Sequence, residues 1–206
     1  MRENRLSETV FVVDDDEAMR DSIHWLLESV NLQTKMFDCA SDFLDFCDPE
    51  QKGCLLLDVR MSGMSGMELL ETLKSRDVML PIIIITGHGD VPMAVRALKN
   101  GAFDFVQKPF NAQELLDRVH AALKLDRERH QRCREIDLRR AHLALLTERE
   151  TEVMGLVVEG HSSKVIAQKL GISPKTVDIH RANMMRKLNV RTVVEIVQLN
   201  LRLEEL

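Results

Sequence analysis

The chain lacks any run of eighteen apolar residues, which excludes a membrane-spanning helix. Its first stretch, Met1 to Thr9, is polar and has no apolar signal core, so no secretory leader is expected. Cysteine is sparse. Cys39, Cys47, Cys54 and Cys133 show neither a metal-ligand spacing nor a small secreted disulfide framework, and they read as free thiols of a reducing cytoplasm. Proline and glycine are missing from Leu123 to Arg140, so nothing there breaks a helix. Charge is plentiful but unevenly divided. Residues 1–123 carry 12 Lys+Arg against 21 Asp+Glu, a balance of −9, and residues 124–206 carry 16 against 12, a balance of +4. Between Lys164 and Arg191 seven basic residues face one acid, Asp178. With 206 residues, one or two domains are expected, and the asymmetry points to two tasks, the second involving a polyanion.

Cys54-Leu55-Leu56-Leu57-Asp58-Val59 reads as a strand buried on both faces, bounded by Gly53 before and by Gly63 and Gly66 after. Thr9–Val13, residues 32–37, Pro81–Ile85 and Phe103–Gln107 are four further short strands. Segments of helical spacing separate them: Glu17–Ser29, Ser41–Phe46 with a Ser cap, Met67–Leu73, Met93–Leu98, and a helix from Asn111 through Leu123. Five strands alternating with helices predict an α/β fold with a parallel sheet covered on both sides. The strands' carboxyl ends then lie along one edge, bringing together Asp14, Asp15, Asp16, Asp58, Thr86 and Lys108. A lone Asp after an apolar run reads as a helix cap. Several carboxylates gathered at one edge instead call for a cation, and Mg²⁺ with phosphate oxygens suits them. Asp58 is the candidate phosphoacceptor, with Thr86 and Lys108 as donors to the phosphoryl oxygens.

Val13-Asp14-Asp15-Asp16, Asp58 with Met64-Ser65-Gly66, Thr86-Gly87 and Lys108-Pro109-Phe110 resemble the receiver domain of bacterial two-component response regulators. Ile85-Thr86-Gly87-His88-Gly89-Asp90-Val91-Pro92-Met93 is similar to the branch typified by the nitrogen-fixation regulator FixJ. The resemblance implies a flavodoxin-like (βα)5 sheet of order 2-1-3-4-5, with Asp58 as phosphoacceptor. Asp15 would be a direct Mg²⁺ ligand, Asp14 would act partly through water, and the main-chain carbonyl of Arg60 would complete the protein ligands. Thr86 and Phe105 would form a switch pair, and the Lys108–Pro109 bond is often cis in such domains. Ser62 stands where many relatives have proline, which predicts a more mobile loop. Arg60 and His88 flank the site and bear on water access.

Leu123 to Arg140 reads as a long solvated helix continuing the fifth receiver helix, supported by pairs such as Glu128–Arg132 and Glu135–Arg139. Thr147 and Glu150 form a capping box for a helix through Val153, Leu156 and Val157. Ser163–Leu170, with Val165, Ile166, Ala167 and Leu170 inward, then Gly171-Ile172-Ser173 and a Pro174-led helix, make a helix-turn-helix. Val177, Arg181, Met184 and Leu188 form the packing face of the last of these, and Lys175, Ile179, Ala182 and Arg186 the opposite face, offered to a major groove. Ile179 and Ala182 suit thymine methyls, and Asp178 suits cytosine N4. Lys164, Lys175, Arg181, Lys187 and Arg191 suit phosphates.

Thr147-x-Arg149-Glu150, Gly160, Ile166-Ala167, Ile172-Ser173, Thr176-Val177, His180-Arg181 and Lys187-Leu188 resemble the LuxR/NarL-type DNA-binding domain. That resemblance implies four helices, the last here Thr192–Leu203, and adds Thr176 to the DNA-contacting set. The expected organisation is a receiver over 1–123, a helical linker over 124–143 and an all-α helix-turn-helix domain over 144–206. The expected function is a cytoplasmic, phosphorylation-controlled transcription regulator. Its partners would be a sensor histidine kinase, promoter DNA and RNA polymerase, with homodimerisation on phosphorylation and no membrane contact. An aspartyl-phosphate phosphohydrolase is disfavoured because Asp14–Asp16 run directly into a helix and no substrate cap is inserted. A ligand-sensing LuxR-type regulator is disfavoured because the N-terminal half carries an acid cluster instead of an apolar pocket.

Overall fold

Short β-branched runs alternating with amphipathic segments give, in the computed structural model, a doubly covered parallel sheet. Residues 8–87 and 91–197 are described, except the side chain of Val91. In chain order these are β1 (Thr9–Val13), α1 (Glu17–Ser29), β2 (Gln33–Phe37), α2 (Ala40–Phe46), β3 (Gly53–Asp58) and α3 (Gly66–Ser75). There follow β4 (Ile82–Thr86), α4 (Val91–Lys99), β5 (Asp104–Gln107) and α5 (Ala112–Ala144). The strands pair in parallel in the order β2-β1-β3-β4-β5, the flavodoxin-like order expected. The register sets Val13 beside Leu57, Asp58 beside Ile85 and Thr86 beside Gln107, so the carboxyl ends form a level edge.

Successive strand side chains point to opposite faces, and the two cores follow that alternation. Phe11, Val13, Leu55, Leu57, Ile82 and Ile84 pack against Phe43 of α2 and Leu69, Leu70 and Leu73 of α3. Val10, Val12, Leu56, Ile83 and Ile85 pack against Ile23 and Leu27 of α1 and Leu115 and Val119 of α5. Cover on both faces explains why β3 and β4 are continuously apolar in sequence.

Local chemistry sets the helix ends. Asp16 caps α1, accepting from the amides of Ala18 and Met19, and Ser65 with Glu68 forms a reciprocal capping box on α3. α2 departs from expectation: it starts at Ala40 behind Cys39, whose side chain makes no capping bond, so Ser41 is not its cap. On α4, Ala97 is buried but Val95 and Leu98 are 43% and 47% exposed, so only part of the expected apolar face turns inward.

The chain divides into two compact units, Met1–His130 and Gln131–Leu206. α5 runs unbroken through Ala144, as its lack of proline and glycine predicts. It is not solvated throughout. Asp126 is 1% exposed and accepts from the Gly53 amide at 3.0 Å.

The second unit contains α6 (Glu148–Val158), α7 (Ser163–Leu170), α8 (Pro174–Lys187) and helical residues 193–197. The expected fourth helix beyond residue 197 lies outside the described residues. Val153, Val157, Ile166, Ala167, Val177, Met184, Leu188 and Ile196 form the core. Gly171 ends α7 in the left-handed conformation, at φ 66°, and Ser173 caps α8 ahead of Pro174. Val165, expected inward, is 39% exposed. No helix among the described residues is long and apolar enough to cross a membrane.

Candidate phosphoacceptor site and nucleic-acid interface

Three strand ends and one loop assemble the acidic site. β1 delivers Asp14, which is 3% exposed; β3 delivers Asp58, which is 7% exposed. The Lys108 ammonium donates to Asp14 Oδ2 and to Asp58 Oδ1, each at 2.7 Å. Asp58 Oδ2 accepts from the Arg60 amide at 2.6 Å, and Asp14 Oδ1 from the Asp16 amide at 2.9 Å. The Lys108 amide donates to the Thr86 carbonyl at 2.8 Å, tying β5's exit to β4, and the Lys108–Pro109 bond is cis. Thr86 is buried, and Phe105 packs half-buried against the α2–α3 core. The acid triplet therefore splits: Asp16 caps α1, Asp14 holds the Lys108 ammonium and Asp15 accepts from the Ser62 amide.

The loop after Asp58 is more tied than expected. The Ser62 amide donates to Asp15 Oδ2 at 2.8 Å, a bond that proline at this position could not make. Gly66 closes the loop: a Cβ there would stand 2.0 Å from the Asp58 carbonyl oxygen. The exposed side chain of Arg60 lines a groove with Met61, Met67, Glu68 and Arg96. His88 and Asp90 lie outside the described residues.

Burial raises the Asp58 pKa above the usual carboxylate value; the Lys108 hydrogen bond and charge oppose this, and the Asp14 charge adds to it. Burial works against the Lys108 ammonium, but its bonds to Asp14 and Asp58 outweigh that and leave its pKa raised. Two carboxylates on one ammonium, with Asp15 next in the chain to Asp14, leave net negative charge, which suits an oxygen-seeking divalent ion such as Mg²⁺. Their oxygens are not gathered as tightly as a closed metal cage. Among the described residues, only Asp38, Cys39 and Asp42, around the start of α2, put three possible ligand atoms within 4.8 Å of one another. Lys108 bridges Asp14 and Asp58, and Asp15 is turned to Ser62.

Trp25 stands on the solvent side of α1, 68% exposed, eight residues beyond the helix start and so about 12 Å along its axis.

In the second unit, α8 divides as its spacing predicts. Val177, Met184 and Leu188 are buried, Arg181 is half-buried, and Lys175, Ile179, Ala182 and Arg186 are exposed, Ile179 by 53%. Lys164 and Asp178 are also exposed, and the Thr176 hydroxyl is shared with Ser173 at 2.8 Å. Lys187 differs from expectation. Its ammonium lies 2.6 Å from Glu150 Oε2, and Glu150 is 4% exposed, so this cation braces α8 against α6 and is not a free phosphate contact. Glu150 also accepts from the Thr147 amide at 2.8 Å. The Lys187 hydrogen bond, then the Thr147 amide, lowers the Glu150 pKa to about 2. The capping box was visible in sequence; its lysine partner, 37 residues away, had no local signal.

A parallel sheet with an acid cluster at its carboxyl edge, followed by a helix-turn-helix, defines a receiver domain joined to a DNA-binding domain. Residues 10–120 match the response regulator receiver domain, and residues 144–200 match the luxR family of bacterial regulatory proteins. The chain belongs to the FixJ-like response regulators, which are two-component transcription regulators and not catalytic enzymes. It is 45% identical over 198 residues to the transcriptional regulatory protein TdiR of Thauera aromatica, covering 94% of this chain and 86% of that protein. It is 43% identical over 195 residues to FixJ of Azorhizobium caulinodans, covering 93% of this chain and 91% of that one. The solved structure of the response regulator StyR is similar, with a TM-score of 0.89 and 46% identity over 97% of this chain and all of that one. Receiver domains typically bind Mg²⁺ at the phosphorylation site.

Proposed function

We propose that this chain is a cytoplasmic transcription regulator switched by phosphorylation of Asp58. Its organisation would be a receiver over 1–123, a helical linker over 124–143 and a DNA reader over 144–206. The observation that carries the reading is Lys108 bridging two carboxylates from different strands at the sheet's carboxyl edge.

A sensor histidine kinase would present a phosphorylated histidine. One Asp58 carboxylate oxygen attacks phosphorus, the P–N bond breaks, and an acyl phosphate forms as the histidine leaves. Mg²⁺ held by Asp14, Asp15, Asp58 and the Arg60 carbonyl would neutralise charge on the phosphoryl oxygens. Lys108, already on Asp58, would follow the new anion as a donor, and the Thr86 hydroxyl would be a second donor. Phe105 would then move inward with Thr86 and reshape the α4–β5 surface. Val95 and Leu98 of α4, each more than two-fifths exposed, support that surface as the homodimer contact. Pairing two DNA readers raises apparent affinity by orders of magnitude without altering α8 itself. Lys164, Lys175, Arg181 and Arg191 would meet phosphates, while Ile179, Ala182 and Asp178 would meet base edges, with Thr176 and Arg186 beside them on the DNA-facing side. RNA polymerase would be the downstream partner.

Acetyl phosphate with Mg²⁺ tests the chemistry. Intact-mass analysis should show one adduct of about 80 Da on the full chain and none on Asp58→Asn. An adduct retained by Asp58→Asn would place the chemistry elsewhere.

A further inference from the structure

Asp178 is the one acid in a basic stretch, and it stands on the face of α8 offered to DNA, next to the exposed Ile179. A carboxylate there is repelled by phosphates on either side of the groove, so its presence needs a compensating gain. The structure supplies two further facts. The Ser163 hydroxyl, at the first position of α7, donates to Asp178 Oδ1 at 2.8 Å. The same hydroxyl accepts from Arg181 Nη1 at 3.0 Å, and that guanidinium is half-buried. One serine from the neighbouring helix thus links an acid and a base that are three residues apart on α8.

The consequences are orientational and electrostatic. A bare aspartate on an exposed helix face samples several rotamers and reads a base poorly. With Oδ1 fixed by Ser163, the carboxylate keeps one orientation and Oδ2 becomes the oxygen that meets an incoming donor. Arg181, drawn toward Ser163, puts positive charge behind the acid and offsets its repulsion from the phosphates. It also loses some of its freedom as a phosphate contact.

We infer that Ser163 is a specificity-determining positioning residue. Through the Ser163–Asp178–Arg181 network it holds Asp178 to select a base that presents an amino donor in the major groove, cytosine through N4 or adenine through N6. The inference rests on the DNA-reading role proposed above.

The test uses the full chain and a randomised duplex library, comparing wild type with Ser163→Ala, Ser163→Thr, Asp178→Ala and the Ser163→Ala/Asp178→Ala double variant. Base preference at each position and the salt dependence of affinity are both read. Ser163→Ala should relax preference by about tenfold at the position that Asp178→Ala also relaxes. Its salt slope should be no shallower than that of wild type, because no phosphate contact is lost and Arg181 is released toward the phosphates. Ser163→Thr, which keeps the hydroxyl, should restore selection, and the double variant should be no worse than Asp178→Ala. A uniform loss of affinity with preference intact overturns the inference, as do additive effects of the two alanine substitutions. A wild-type chain that selects a sequence with Ser163→Ala selecting it equally well overturns the inference alone. A wild-type chain that selects no sequence overturns it together with the DNA-reading role.

Discussion

Lys108 holds two carboxylates that would otherwise repel each other, and the balance among the three groups decides how the site behaves before any phosphoryl group arrives. Asp58 has a folded pKa above its ordinary value because burial penalises the ionised form. A carboxyl raised in this way costs the folded state stability as the pH rises above the ordinary carboxylate value, and the cost is complete above the folded pKa. Asp58→Asn, uncharged and nearly isosteric, should therefore melt no lower than the parent chain at pH 7, and calorimetry checks this. Glu150 is the opposite case. Its pKa falls from 4.5 to about 2, so its contribution is complete above pH 4.5 and is lost as the pH drops toward 2. Circular dichroism of the second unit's helices between pH 6 and 2 should show that loss. Glu150→Gln should flatten the pH dependence and cost about 1–3 kcal/mol at pH 7, toward the low end because Lys187 keeps some access to water.

At the scale of elements, the strands and most helices could be read from the chain because each depends on local pattern: apolar runs for strands covered on both faces, the capping box at Thr147, Gly171 at the helix-turn-helix. What escaped was long-range pairing. Asp126 sits in a run of charged residues and reads as a solvated helix position, yet it reaches Gly53, 73 residues away, from a fully buried site. His130 Nε2 lies 3.4 Å from Asp126 Oδ1, and Arg127 and Arg129 flank it with bonds to Glu8 and to the Met79 carbonyl. These contacts fasten α5 to the amino ends of β1 and β3 and to the segment leading into β4. Asp126→Ala should orphan the Gly53 amide at a cost of about 1–3 kcal/mol. Hydrogen exchange at the start of β3 should accelerate in that variant and stay near wild type in Asp126→Asn, which keeps an acceptor. Equal exchange in all three proteins would show that the contact carries no weight. The tether from Ser62 to Asp15 was hidden for a related reason: a missing proline is visible in sequence, but the bond its amide makes is not.

At the scale of the whole molecule, the proposed switch couples chemistry at one aspartate in the first unit to DNA binding by the second. The charge asymmetry of the two halves pointed to two tasks, and the receiver and luxR-family matches fall one in each half. The direct test is binding of this chain to a genomic site found by footprinting, at fixed salt, with and without acetyl phosphate and Mg²⁺. Phosphorylation should tighten binding at least tenfold and shift the protein from monomer to dimer, with Asp58→Asn unresponsive in both readouts. Equal affinity before and after stoichiometric phosphorylation, or an undiminished response in Asp58→Asn, would contradict it.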